Sequence, residues 1–317
     1  MRSILFAASA FGALALAVAC GDSSTRECRV GADCASGACT AEGTCAAPSG
    51  SSGDPGQGGD SGTGPVTDTG NEGGASSSGD ANVPGCNPNK DGTITRAEVP
   101  IQPGLRATFR VAEDVDVDTA GTTEQDGSRT WDFSGALKDD ANVIIETMAL
   151  TNKWYAPKYS GASYASKLRN SSDLIGVFET APATLALRGV VTPDDGLYRT
   201  ELTYDPSVAV LSFPLKMDAT WTSDTSVSGV ALGVPSAYSE KYESVVDAHG
   251  KLKTPLGTFD VLRVRVLLTR TVGFAVTKVR TFAFVTECYG TVATVTSEDN
   301  EGDVEFTHAL EIRRIAP

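Results

Sequence analysis

Histidine is almost missing from this chain. Its 317 residues include two, His249 and His308, beside three methionines and three tryptophans. Two histidines leave little material for general acid–base chemistry or for a histidine-rich metal centre. There is no G-x-S-x-G elbow and no H-E-x-x-H helix. No glycine-rich loop leads from a strand into a helix, so nothing supports a nucleotide as ligand. Positive charge is also short. Lys and Arg number 26 against 40 Asp and Glu, giving a net charge of −14 and a pI near 4.6. Nucleic-acid partners select basic surfaces, so that class is set aside. An acidic surface suits divalent cations and life outside the cytoplasm. Long apolar runs are missing as well. Only Ile4–Ala19 is continuously apolar or small, and a spanning helix takes about 20 such residues.

What that run does have is the layout of an export signal. Arg2 is the charged start, the apolar stretch follows, and small residues close it. It ends in Leu16-Ala17-Val18-Ala19-Cys20, which resembles a bacterial lipobox, with Leu16 one place earlier than the usual pattern. The resemblance implies that residues 1–19 are removed and that Cys20 becomes a lipid-bearing N-terminus. Each buried CH₂ of an acyl chain adds about 0.8 kcal/mol, so several chains on one residue anchor without a membrane helix. The membrane is then a partner through lipid. The expected location is the bacterial envelope, at the outer membrane or cell surface.

With Cys20 set apart, six cysteines remain. Cys28, Cys34, Cys39 and Cys45 lie close together among Gly, Ala, Ser and Asp, in residues 20–45. Such a stretch has no apolar core of its own, and disulfides are its means of order. Three pairings are open. Without a CxxC pair or a nearby histidine, zinc is the weaker reading. The segment is similar to short cysteine modules at the start of bacterial surface lipoproteins. Cys86 and Cys288 each lack a local partner and are expected to pair with one another. Between the two groups, residues 46–85 contain no Lys, no Arg and no aromatic, and nearly half are Gly or Ser. That composition predicts a disordered tether.

Residues 86–317 read as the working domain. Apolar and polar residues alternate with period two. In "LRATFRVAEDVDVD", Phe109, Val111 and Val115 share one face, while Asp114, Asp116 and Asp118 share the other. In "FDVLRVRVLL", Leu262, Val264, Val266 and Leu268 oppose Arg263 and Arg265. Further strands are expected in "NVIIETMAL", "LYRTELTY", "VTKVRTFAFV" and "YGTVATVTSE", with "SEDNEGD" turning into "VEFTHALEIRRI". The expected class is mainly β, an antiparallel sandwich or a curved open barrel. Short helices are expected near residues 158–178, where the alternation breaks.

One stretch carries a chemical pattern. In "NPNKDGTITRAE" the residues Asn87, Asn89, Asp91, Thr93, Thr95 and Glu98 occupy the ligand positions of a twelve-residue D-x-[DN]-x-[DN]-G-x₅-E loop. Alternate side chains aim oxygen at one ion, Gly92 allows the sharp turn, and Glu98 closes the site with two oxygens. The stretch resembles an EF-hand or dockerin-type calcium loop, which implies calcium as cofactor. Asn87 replaces the usual first Asp. Pro100 and Pro103 stop the exiting helix. Two carboxylates imply weak affinity, with a Kd on the order of 10⁻⁴–10⁻³ M. The Asp114, Asp116 and Asp118 stripe is read as a solvated face that offers a second, lesser ion position.

Three stretches, "RTWDFSGAL", "FPLKMDATWTS" and "GKLKTPLGTFDVLRVRV", resemble a pattern in exported bacterial β-rich proteins of uncharacterised function. The resemblance implies an envelope location and no catalytic residue. The functional expectation is a non-catalytic, lipid-anchored protein that displays a calcium-stabilised β domain to an unknown envelope or extracellular partner. The alternatives are a half-barrel carrier of an apolar ligand and a hydrolase of envelope polymers using residues from distant strands.

Overall fold

The computed structural model describes residues 86–317. The expectations for the signal segment, Cys20, the cluster Cys28, Cys34, Cys39 and Cys45, and the linker lie outside the described residues. Fourteen strands form one sheet. They are β1 Arg106–Asp116, β2 Thr122–Thr123, β3 Arg129–Asp132, β4 Ala141–Glu146, β5 Tyr164–Lys167, β6 Ile175–Thr180 and β7 Thr184–Val191. Then come β8 Glu201–Ser212, β9 Thr220–Ala231, β10 Val234–Lys253, β11 Thr258–Val272, β12 Ala275–Thr286, β13 Gly290–Thr296 and β14 His308–Ala316.

From β5 to β14 each strand pairs with the next, as an antiparallel meander. β1 then pairs with β14, and β4 with β1. The two ends of this path meet at one bridge. Met148 N–H donates to Ala165 O at 2.7 Å, and Ala165 N–H to Met148 O at 2.9 Å. The result is a curved, barrel-like antiparallel sheet closed at a single point, which removes most of the exposed edge.

The sheet forks at β10. Along Val234–Val245 that strand pairs with β9. Further on, at Gly250–Lys253, β3 takes the same edge in parallel. Gly250 makes this approach possible: a Cβ there would sit 1.8 Å from Arg129 O, at φ +154°. β3 delivers Trp131 into the main core, edge-on to Phe284 with centroids 5.0 Å apart. Its indole N–H donates to Thr119 O at 2.9 Å, so the polar end of the ring is satisfied. Burying Phe282 or Phe284 contributes about 2–3 kcal/mol each.

One expectation needs correction. Residues 158–178 are not helical. A short 3-10 helix, Ala156–Lys158, ends at their start, and β5 and the start of β6 follow. The alternation breaks there because both faces are covered: neighbours Tyr164 and Ala165 are both buried. On β11, Arg263 and Arg265 do lie on the face opposite Val264, and that face is covered as well. Arg263 is 1% exposed. It donates to Asp247, to Glu305 and to Thr119 O, with its guanidinium 4.2 Å from the Phe282 centroid. Both faces of β11 are therefore internal at this level, and the cation is retained by two carboxylates and a carbonyl.

Antiparallel pairing sorts the connections into two ends. One end holds the β8–β9, β10–β11 and β12–β13 connections. The other holds β7–β8, β9–β10, β11–β12 and β13–β14. The twelve residues of β12 separate them, on the order of 35–40 Å at about 3.4 Å per residue.

Candidate functional site

The calcium-like stretch lies at the first of these ends, and it is fastened there. Cys86 and Cys288 are bonded, with Cα atoms 5.5 Å apart and a sequence separation of 202. Ile94 N–H donates to Leu215 O and Leu215 N–H to Ile94 O, both at 2.8 Å, and both side chains are buried. Cys288 N–H donates to Glu98 O at 2.7 Å. Lys90 N–H is held between the two Glu287 oxygens at 3.0 and 3.2 Å. Val99 is fully buried beneath the segment. Glu287 was missed by the sequence reading, because its role depends on a contact across 197 residues.

Within the loop, the short polar side chains fold onto their own backbone. Asn89 Oδ1 accepts from Asp91 N–H at 3.0 Å, and Asp91 Oδ1 accepts from Thr93 N–H at 2.8 Å. Gly92 turns at φ +80°, the sharp bend that a loop of this type demands. Asn87, Asn89 and Asp91 are solvent-exposed. Glu98 faces its own turn. Its Oε2 accepts from Thr95 N–H and Thr95 Oγ1, each at 2.7 Å. It thereby caps the 3-10 turn Arg96–Glu98 as a capping-box glutamate does. Closing on an ion with both oxygens would require Glu98 to release Thr95. The loop offers oxygen donors, two carboxylates and an open bend at Gly92, with Glu98 already engaged by Thr95.

A second group assembles at the opposite end. Asp114 turns out of β1 at φ +55°. His308, the first residue of β14, sits between two carboxylates. Its Nε2 is 2.8 Å from Asp114 Oδ1 and its Nδ1 is 3.1 Å from Asp116 Oδ1. Glu298 Oε1 lies 4.0 Å from Nε2. Hydrogen bonds to Asp116 and then Asp114 raise the imidazole pKa above its ordinary 6.5. One ligand atom each from Asp114, Glu298 and His308 lie within 4.8 Å of one another. Protonated on both nitrogens, His308 satisfies Asp114 and Asp116, and the group acts as an exposed clasp between β1 and β14. Asp118 stands apart and accepts from Ala120 and Gly121 N–H. His249 lies exposed on β10, on a different strand from His308.

The inside of the sheet is filled by aromatic and branched side chains in four clusters. A shallow hollow of about 410 Å³ opens on the outer face of β8–β11. Most of its lining residues are polar or charged, among them Asp205, Asp224, Ser239, Lys241, Thr269 and Thr271. No described helix is long and apolar enough to cross a membrane.

No family model matches this chain, and no curated protein matches it. Among solved structures, it is similar to a "putative lipoprotein" from Parabacteroides distasonis at 8% identity, with a TM-score of 0.29. The match covers 68% of this chain and 95% of the other. Likeness at that level carries no argument about function. What the structure defines is a mainly β protein with a nearly closed, curved antiparallel sheet.

Proposed function

We propose that the protein is a non-catalytic envelope protein, anchored by lipid on Cys20, which displays its β domain for binding or adhesion. The observation that carries this reading is the fastening of residues 86–99. The chain reaches its domain through a disulfide, a buried β-bridge and two further backbone contacts at one end of the sheet. That arrangement suits a domain held by its leading segment, because tension on the lead meets a covalent bond first. The loop Asn87–Glu98 then acts as a weak calcium clamp over the same junction, saturated only where calcium is plentiful. The filled interior and the polar outer hollow weigh against a carrier of an apolar ligand.

Metabolic labelling with a palmitate analogue in a bacterial host tests the anchor. The wild-type chain should take up label and fractionate with membranes. Cys20→Ser should do neither. Equal labelling of the two would sink the proposal.

A further inference from the structure

Large apolar side chains left in solvent are not spread evenly over this molecule. Among the described residues, most of them lie in or beside the connections at the end opposite the disulfide. Phe274 tips the β11–β12 hairpin with its ring fully exposed, flanked by Val272 and Val276, each about half exposed. On the neighbouring β9–β10 hairpin, Leu232 and Val234 are 69% and 62% exposed. The β7–β8 connection packs beside that tip: Gly233 N–H donates to Arg199 O at 3.0 Å, and Tyr198 stands 75% exposed next to it.

Neither hairpin tip carries charge. Residues 231–236 read ALGVPS and residues 271–277 read TVGFAVT, in a chain of net charge −14. Carboxylates stand beside and behind the tips, and exposed Asp194 and Asp195 lie in the β7–β8 connection next to the Leu232 tip. Glu298, Asp299, Glu301 and Asp303 lie in the β13–β14 connection, which is held beside β12 by the bond from Asn300 N–H to Lys278 O, behind the Phe274 tip.

We propose that these two hairpin tips insert into the interfacial region of a neutral, zwitterionic lipid surface. The tips are the turns of neighbouring hairpins, the β9–β10 one reaching further along the strands than the β11–β12 one, and a turn offers no pocket for a partner's anchoring side chain, which is where protein–protein hot spots form. A lipid interface yields to convex apolar tips and welcomes an aromatic ring at headgroup depth. Uncharged tips enter without stripping water from an ion. The acidic residues beside and behind them select neutral over anionic lipid. This deepens the display reading by naming its target. The disulfide end receives the tether and the far end meets the lipid.

The test uses the oxidised mature chain, residues 20–317, carrying Cys20→Ser, so that neither acylation nor the apolar leader plays a part, in flotation with phosphatidylcholine vesicles. The unacylated chain should float. A Leu232→Ser, Phe274→Ser double variant should lose binding by about tenfold per tip. Leu256→Ser, at the disulfide end, should float as before. Vesicles with added phosphatidylglycerol should bind less. The proposal is overturned if the unacylated chain stays with the unbound protein, if the double variant floats equally well, or if only anionic vesicles bind. It is also overturned if the same substitutions instead abolish a concentration-dependent dimer seen by sedimentation without lipid. In each of those cases anchoring through Cys20 stands or falls separately, on the labelling result.

Discussion

The two ends of the β domain are built on opposite terms. At the disulfide end, a polar and turn-rich segment is secured by covalent and buried contacts, with Cys86, Ile94, Val99 and Leu215 all inside. At the hairpin end, apolar residues are left in water and the strands are clasped by exposed charges, Asp114, Asp116 and His308. The usual expectation is the reverse, with polar loops loose and apolar residues packed. One end is therefore organised to hold, and the other to be available.

The comparison breaks most visibly at the disulfide. Cys86→Ala with Cys288→Ala opens a loop that spans a sequence separation of 202, and chain entropy sets the loss at up to about 5 kcal/mol. Urea unfolding under oxidising conditions checks it. Hydrogen exchange should show the protection of Ile94, Val99 and Leu215 falling, while vesicle flotation through the hairpin tips persists. If flotation failed along with the disulfide, the two ends would not be independent, and the division of labour would be wrong.

The strands that alternate cleanly were legible in the sequence. β12 spans the stretch whose period marked it, with one residue more at each end, β13 falls within its stretch, and "TPLGTF" forms its turn, with Thr254 N–H donating to Gly257 O. The mainly β class followed from that period. Legibility failed where both faces of a strand are covered. Arg263 reads as an outward residue of "VLRVRV", yet it is enclosed because Glu305 and Asp247 come from elsewhere to neutralise it. Tyr164 and Ala165 failed in the same way. The pattern of the calcium-like loop was visible as spacing. The diversion of Glu98 to Thr95 was visible only as a serine/threonine-x-x-glutamate signature, which calcium loops and capping boxes share at these positions. No spacing rule joins His308 to Asp114, 194 residues away.

Calcium sharpens the contrast at an intermediate scale. With the Cys20→Ser chain oxidised, the unfolding midpoint in EDTA is compared with that in about 10 mM calcium, roughly ten times the weakest expected Kd. Linkage gives about 1.4 kcal/mol at tenfold excess, or about 3 °C for a domain of this size. Glu98→Ala should abolish the rise, because the loop loses its only closing carboxylate. A rise that survives in Glu98→Ala would place the ion elsewhere. No rise with calcium would leave the loop as a capped turn fastened by protein contacts alone.

The smallest effect belongs to the hairpin end, and its sign is fixed by chemistry. His308 is held protonated by Asp116 and Asp114, so its pKa is raised in the folded state. A raised histidine contributes stability that is fully present below the ordinary value of 6.5 and is lost as pH climbs through the folded value. The groups facing it are all carboxylates, Asp114 and Asp116 from β1 and Glu298 from the β13–β14 connection. Above the transition they repel one another across a neutral ring. Their exposure keeps the effect small, and salt screens it further. The wild type should therefore exceed His308→Gln in midpoint at pH 5.5 and low salt, with the gap closing by pH 9. A gap that widens with pH would mean that His308 works as a neutral hydrogen-bonder, and the clasp would then be polar packing of the same kind as the disulfide end.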